Sequence, residues 1–182
     1  MKHYSVDLSM DYQQEALAEA NSVDIHCGDL SQCPVELLER VIKLLPSNLD
    51  ALDLSNCRLG KLSEDLLMKL LMLLPTGLRS LDVSKNELDA LEPDALLKFI
   101  ISLPKDLQEL DLSGLSFKSC DAGQIEAVLL SLPSRLKPFD TRLIDFNRFS
   151  IQDIKKIIKA LPTSHTTLDL TGYNWSRFSD EE

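Results

Sequence analysis

The sequence predicts an α/β solenoid, with parallel strands lining a concave face and helices forming the convex one. Three observations carry this. Leu-Pro recurs at 45–46, 74–75, 103–104, 132–133 and 161–162, every interval being 29 residues, which marks an internal repeat. After each Leu-Pro, aliphatic residues alternate with polar ones, as in a strand with one buried face. Before each Leu-Pro, apolar residues follow helical spacing.

The strands come first. Leu49-x-x-Leu52-Asp53-Leu54-x-x-Cys57-x-Leu59 is followed by Leu78-x-x-Leu81-Asp82-Val83-x-x-Asn86-x-Leu88 and Leu107-x-x-Leu110-Asp111-Leu112-x-x-Leu115-x-Phe117. Then come Leu136-x-x-Phe139-Asp140-Thr141-x-x-Ile144-x-Phe146 and Leu168-Asp169-Leu170-x-x-Tyr173-x-Trp175. One period before the first lies Ala20-x-x-Val23-Asp24-Ile25. In each strand the Leu52 and Leu54 positions face inward and the Ala51, Asp53 and Ser55 positions outward.

The helices follow. Leu67, Leu70, Leu71 and Leu74 form one helix face, repeated as Leu96, Phe99, Ile100 and Leu103 and twice more after that. Ser63 and Ser150 stand where an N-cap belongs, and Pro93 fits a first helical turn. The proline of each Leu-Pro ends its helix, because it cannot continue the hydrogen-bond ladder. No repeat buries its apolar face alone; stacking does it.

The expected organisation is a single domain over 1–182. Residues 1–19 are a capping half-repeat, 20–164 five 29-residue repeats and 165–182 an incomplete repeat. In the cap, Val6-Asp7-Leu8-Ser9 echoes Leu52-Asp53-Leu54-Ser55 and lies 17 residues before Val23-Asp24-Ile25, which reads as a strand and then a helix around Asp11 to Ala20. At the other end, Tyr173, Trp175 and Phe178 either plug the last core layer or present an apolar surface to another chain. The expected state is therefore a monomer or a weak homodimer through that end.

This spacing resembles the leucine-rich repeat family, L-x-x-L-x-L-x-x-N/C-x-L, in its ribonuclease-inhibitor-like subclass. Cys57 and Asn86 fit the Asn/Cys position; Gly28, Leu115, Ile144 and Tyr173 do not. The buried polar ladder of the family is thus interrupted, and loop backbone in the C-terminal repeats is expected to be less well satisfied. Leu74-Pro75-x-x-Leu78-x-x-Leu81-Asp82-Val83-Ser84-x-Asn86-x-Leu88 also resembles the leucine-rich proteins that intracellular bacterial pathogens deliver into host cells by type IV secretion. That resemblance implies a host-directed, non-catalytic interaction module and an uncleaved C-terminal translocation signal, with which the acidic tail Ser176–Glu182 is compatible.

Composition narrows the function classes. The 182 residues are 44% hydrophobic and 26% charged, which is globular, and 5% aromatic, so the core is aliphatic. Nineteen basic against 29 acidic residues give a net charge of −10. That disfavours nucleic acid and anionic membranes and favours a protein partner with a basic surface. No apolar stretch is long enough to span a membrane, and Met1–Met10 shows no export-signal pattern. The cysteines form no C-x-x-C pair and read as reduced thiols in a cytosol-like compartment. No glycine-rich phosphate loop occurs. His3, His26 and His165 have no metal-ligand spacing, so neither cofactor nor metal is expected. Cys120 beside Asp121 invites a nucleophile reading. It falls, like Cys33, on a repeated core position, and burial is the stronger reading; Cys57 is structural too.

The expected binding surface is the concave face. Its centre carries Asp24, Asp53, Asp82, Asp111, Asp140 and Asp169, one per strand, flanked by Ser55 and Ser84. Strands about 4.8 Å apart place like charges close enough to repel by about 1 kcal/mol even at high dielectric. Either the aspartates are ordinary family chemistry, hydrogen-bonding nearby polar groups, or they form an acidic strip for a basic partner. Glu87 and Glu109 strengthen the strip; Pro138 and Arg142 break it. Pro138 and Thr141 should make the repeat from 136 to 164 the least stable. Three functions fit: a protein-binding module, an inhibitor that occludes a basic active site, or a GTPase or ubiquitin-pathway regulator. For the last, Arg58 and Arg142 are the arginines to hand. On the convex face, Met68, Met72, Leu97, Ile101 and Leu130 are expected to pack helix to helix, a convex partner site being the alternative.

Overall fold

A computed structural model describes residues 3–7, 19–26, 35–137, 139–162, 169, 173, 174 and 176. Five strands, β1 (His3–Asp7), β2 (Ser22–His26), β3 (Ala51–Asp53), β4 (Ser80–Asp82) and β5 (Glu109–Asp111), form one sheet in chain order. Every pairing is parallel. Helix α1 (Val35–Leu44) follows β2, α2 (Glu64–Met72) follows β3, α3 (Pro93–Ser102) follows β4, and α4 (Ala122–Ser131) and α5 (Ile151–Ala160) complete the row. From β2 to β5 the paired residues lie 29 positions apart, as in Leu52 opposite Leu81.

Local chemistry fixes the boundaries. Ser63 Oγ accepts the Leu66 N–H, Ser150 Oγ accepts the Asp153 N–H, and Pro93 begins α3. Asp121 and Gln124 form a reciprocal capping box at α4. After each helix, the carbonyls of Pro46, Pro75, Pro104 and Pro133 accept the N–H three residues on, turning the chain toward the next strand. Leu52, Leu54, Leu67, Leu70 and most of their equivalents are buried in one continuous core, with Leu110 half-buried against it.

Three expectations need correction. First, the echo of Leu52 sets Val6 level with Val23, but β1 pairs with β2 two residues away from that: Tyr4 lies opposite Val23, and Val6 opposite Ile25. A slip of two keeps the alternation of the strand, so sequence similarity does not distinguish the two registers.

Second, the described residues of the repeat from 136 to 164 contain no strand. Gln108 O still accepts the Lys137 N–H at 2.7 Å, but the next residue, Pro138, has no N–H to continue the ladder. The chain instead makes a 3-10 turn at Thr141–Leu143. Thr141, predicted to weaken this core, is buried with its hydroxyl satisfied. It donates to Asp169 O at 3.3 Å and accepts the Asp169 N–H at 3.1 Å.

Third, Met72, Ile101 and Leu130 do not pack between helices; they are 82%, 49% and 68% exposed. Each follows a buried residue of the inward stripe, about 100° further round the helix. Met68 and Leu97 do pack against the core, as expected. The capping helix around 11–18, Cys27, Gly28, Cys33, Pro138, Trp175 and Phe178 lie outside the described residues.

Candidate protein-binding surface

The four aspartates Asp24, Asp53, Asp82 and Asp111 stack in register across neighbouring strands. Three of them end their strands in the same way. Asp53 Oδ1 accepts the Ser55 N–H at 2.7 Å, Asp82 Oδ1 that of Ser84 at 2.8 Å, and Asp111 Oδ1 that of Ser113 at 2.7 Å. Each is an Asx turn, in which a side-chain oxygen takes the place of a backbone acceptor. It terminates the three-residue strands and commits one oxygen of each carboxylate to scaffold work. Asp140 and Asp145 repeat the motif on Arg142 and Asn147, capping 3-10 turns rather than strands.

The remaining charges are distributed unevenly. Glu109 on β5 binds Lys137 from the next repeat and accepts the Ser80 hydroxyl at 3.2 Å. The Lys137 ammonium holds its carboxyl below the usual range, with help from Ser80. Asp140 holds Arg142 through two bonds, Nε to Oδ1 at 2.9 Å and Nη2 to Oδ2 at 2.8 Å; that guanidinium lowers the Asp140 pKa. Arg142 thus folds back on its neighbour rather than lying on a strand.

Glu87 lies outside the strands. It sits in the loop beyond β4 in left-handed conformation (φ 54°), 3.0 Å from Lys61 and 3.7 Å from Arg58. Arg58 is itself left-handed (φ 54°), so its position is set by loop backbone. Ser84 is buried and so is unavailable to a partner. Ser55 is half-buried. Asp169 is exposed but belongs to no described strand. Among the described residues, no cation pairs with Asp53, Asp82 or Asp111.

Of these, Asp82 and Asp111 border a hollow of about 470 Å³ beside β5. Its floor is apolar, made by Leu110, Leu112, Phe139 and Leu143, and its rim carries Asp82, Glu109, Asp111 and Asp140. Lys137 reaches in from the far side.

Under the strands, Asn86 and Cys57 take the structural roles expected of them. Asn86 is buried; its Oδ1 accepts the N–H of Cys57 and Leu59, and its Nδ2 donates to Leu54 O and Ser84 O. Leu115 and Ile144 bury apolar side chains at the equivalent places. There the loop carbonyls are served from the next repeat. Arg148 donates to Phe117 O at 2.7 Å and to Cys120 O at 3.1 Å. Nothing local in the sequence signals that role. Cys120 is buried, and burial pushes its thiol pKa up, the opposite of nucleophile activation. Among the described residues, no group of three His, Cys, Asp or Glu side chains is placed to hold a metal ion. No described helix is long and apolar enough to cross a membrane.

Residues 48–70, which hold β3, the Cys57 loop and the start of α2, match the Leucine Rich Repeat family. The chain has a leucine-rich repeat fold. Its leucine-rich repeat fold is shared with the leucine-rich repeat-containing protein LegL7 from Legionella pneumophila, at 22% identity and a TM-score of 0.68. That match covers 90% of this chain and 53% of LegL7, so the chain spans about half the length of its Legionella counterpart. The C-terminal domain of tropomodulin from Caenorhabditis elegans is similar at 16% identity and a TM-score of 0.50, over 81% of this chain and 86% of that one. No curated protein matches the sequence. Leucine-rich repeat arrays commonly serve as protein-interaction scaffolds, offering an extended surface built on stacked strands.

Proposed function

We propose that this leucine-rich repeat protein binds a partner protein without catalysing a reaction, receiving a basic segment on the acidic strip of its concave face. The observation that carries this is the stack of Asp53, Asp82 and Asp111, the last two lining an apolar-floored hollow, with no cation from the described residues to neutralise them. A lysine or arginine from the partner would meet their outward oxygens, while an adjoining apolar residue fills the space over Leu110 and Phe139. The sequence resemblance to type IV-delivered proteins supports an effector that acts on a host protein. Arg58 and Arg142 are both held in ion pairs, which weighs against an arginine-finger role.

The test is capture of partners from host-cell lysate by the wild type and by the triple Asp53→Asn, Asp82→Asn, Asp111→Asn variant. Asparagine keeps the Oδ1 acceptor of each Asx turn and removes only the charge. A partner held by the wild type, released by salt and weakened at least roughly tenfold by the triple variant supports the reading. Equal capture by both proteins refutes it.

A further inference from the structure

Met72, Ile101 and Leu130 are the exposed large hydrophobics among the described residues. They occupy one equivalent position on α2, α3 and α4, so they form a single apolar row across the convex face. The next position in the row is Lys159 on α5, exposed like its neighbours Lys155 and Lys156. Lys69 and Lys98, the counterparts of Lys156 on α2 and α3, bind Glu39 and Glu64. Among the described residues, Lys155, Lys156 and Lys159 make no ion pair. The row therefore runs from an apolar ridge into three unneutralised cations. Beside Met72, a hollow of about 370 Å³ opens over Leu71, Leu74, Leu103 and Pro104.

Spacing and charge together describe an occupant. Packed helices lie about 8–10 Å apart, and seven residues of helix rise about 10.5 Å. A helix laid across α2, α3 and α4 thus sets one apolar residue over each ridge position when its apolar residues recur every seven. Its next turns then reach α5, where the lysines call for carboxylates. An anionic bilayer fits less well, because exposed Glu64, Asp65 and Asp94 stand at the starts of α2 and α3 on the same helices.

We propose that the convex face binds an amphipathic helix of a partner protein, with apolar residues at i, i+7 and i+14 over Met72, Ile101 and Leu130 and acidic residues beyond them over Lys155, Lys156 and Lys159. This surface is separate from the acidic concave strip, so the chain would join two proteins.

The experiment selects a display library of helical peptides of about 22 residues against the full chain. Leucine is fixed at i, i+7 and i+14, the other positions are randomised, and binders are measured by fluorescence anisotropy. The expected binders are enriched in Asp and Glu at one end. They weaken at least roughly tenfold on Ile101→Glu, and also on the joint change of Lys155, Lys156 and Lys159 to Glu, while both variants keep wild-type circular dichroism. They bind the Asp53→Asn, Asp82→Asn, Asp111→Asn variant as tightly as the wild type, which separates this surface from the concave one. Selection that yields no binder sensitive to Ile101→Glu overturns the proposal. So does flotation with phosphatidylserine-containing vesicles that Ile101→Glu abolishes, which would make the row a membrane contact. A dimer in sedimentation equilibrium that the same change dissolves would overturn it in favour of a second copy.

Discussion

Asn86 Oδ1 accepts the Cys57 N–H at 2.8 Å, joining two loops 29 residues apart beneath the sheet. The same side chain makes three further bonds to Leu59 N–H, Leu54 O and Ser84 O, so all of its amide capacity is used. Asn86→Leu keeps the approximate volume and strands these buried main-chain groups. The expected loss is about 2–4 kcal/mol, since orphaned buried polar groups cost about 1–3 kcal/mol each and the loop relaxes in part. Urea unfolding monitored by circular dichroism measures it; a loss under about 0.5 kcal/mol would show that water replaces the amide.

Arg148 does for a later repeat what Asn86 does here, from outside the loop. Its guanidinium spans Phe117 O and Cys120 O and lies 5.2 Å from the Phe149 ring centroid. Arg148→Ala should destabilise by about 1–3 kcal/mol, the range for charge-assisted hydrogen bonds. Arg148→Lys should recover less than half of that, because a single ammonium does not reproduce the planar fork. Thermal unfolding of the two variants side by side decides it; full rescue by lysine would reduce the interaction to simple charge.

The repeating parts of the fold were legible because each is a local pattern copied many times: the inward leucines, the Ser63 and Ser150 caps, the Leu-Pro turns. Cys57 and Asn86 were legible through the family pattern. Arg148 was not, because its partners lie 31 and 28 residues back and no nearby residue marks them. That the described residues 139–142 form no strand was half-visible. Pro138 signalled a broken ladder, but that the chain would turn at Thr141 depends on the satisfied hydroxyl and on Asp140 as cap. The aspartates carried their own explanation in the sequence. Asp53-Leu54-Ser55, Asp82-Val83-Ser84 and Asp111-Leu112-Ser113 share the Asp-x-Ser spacing of an Asx turn, whereas the burial of Ser84 depends on how the neighbouring loops close.

Gly60 marks the tightest approach between repeats. A Cβ there would lie 2.0 Å from Glu87 O, while the Gly60 N–H donates to Asn86 O at 2.9 Å. Gly60→Ala therefore forces two loops apart, and a loss of about 2 kcal/mol or more is expected, as for other overpacked sites. Gly77→Ala is the control, since its nearest neighbour would be Ser47 O at 3.8 Å. It should change stability by less than about 0.5 kcal/mol. Equal effects at the two sites, in matched urea titrations, would contradict the close contact.

Acid should loosen the end of the strip. Glu109 and Asp140 both have depressed pKa values in the folded protein, through Lys137 and Arg142 respectively. A carboxylate with a depressed folded pKa contributes stability that is fully present above its unfolded value, about 4. That contribution is lost as pH falls through the lower folded value. Glu109→Gln should thus narrow the stability gap between neutral and acid pH, destabilising the protein more at pH 7 than at pH 3. Thermal scans across that range test the sign, and a deficit no smaller at pH 3 would mean that Glu109 acts through packing instead of charge.

The aspartate stack separates two physical effects that the sequence alone leaves merged. Asp53, Asp82 and Asp111 each cap a strand through one oxygen and repel one another through their charge. Asparagine at all three positions retains the caps and removes the repulsion. Its expected effect at low salt is stabilisation of a few tenths to about 1 kcal/mol, shrinking as salt screens the wild type. Alanine at the same positions removes the caps too, and should cost about 1 kcal/mol per site, the usual scale for a lost capping acceptor. Comparing the two triple variants in low and high salt by urea unfolding makes the assignment. If asparagine destabilises as much as alanine, the carboxylate charge itself holds the strand ends. In that case the strip is scaffold first, and a partner would have to compete with the fold for it.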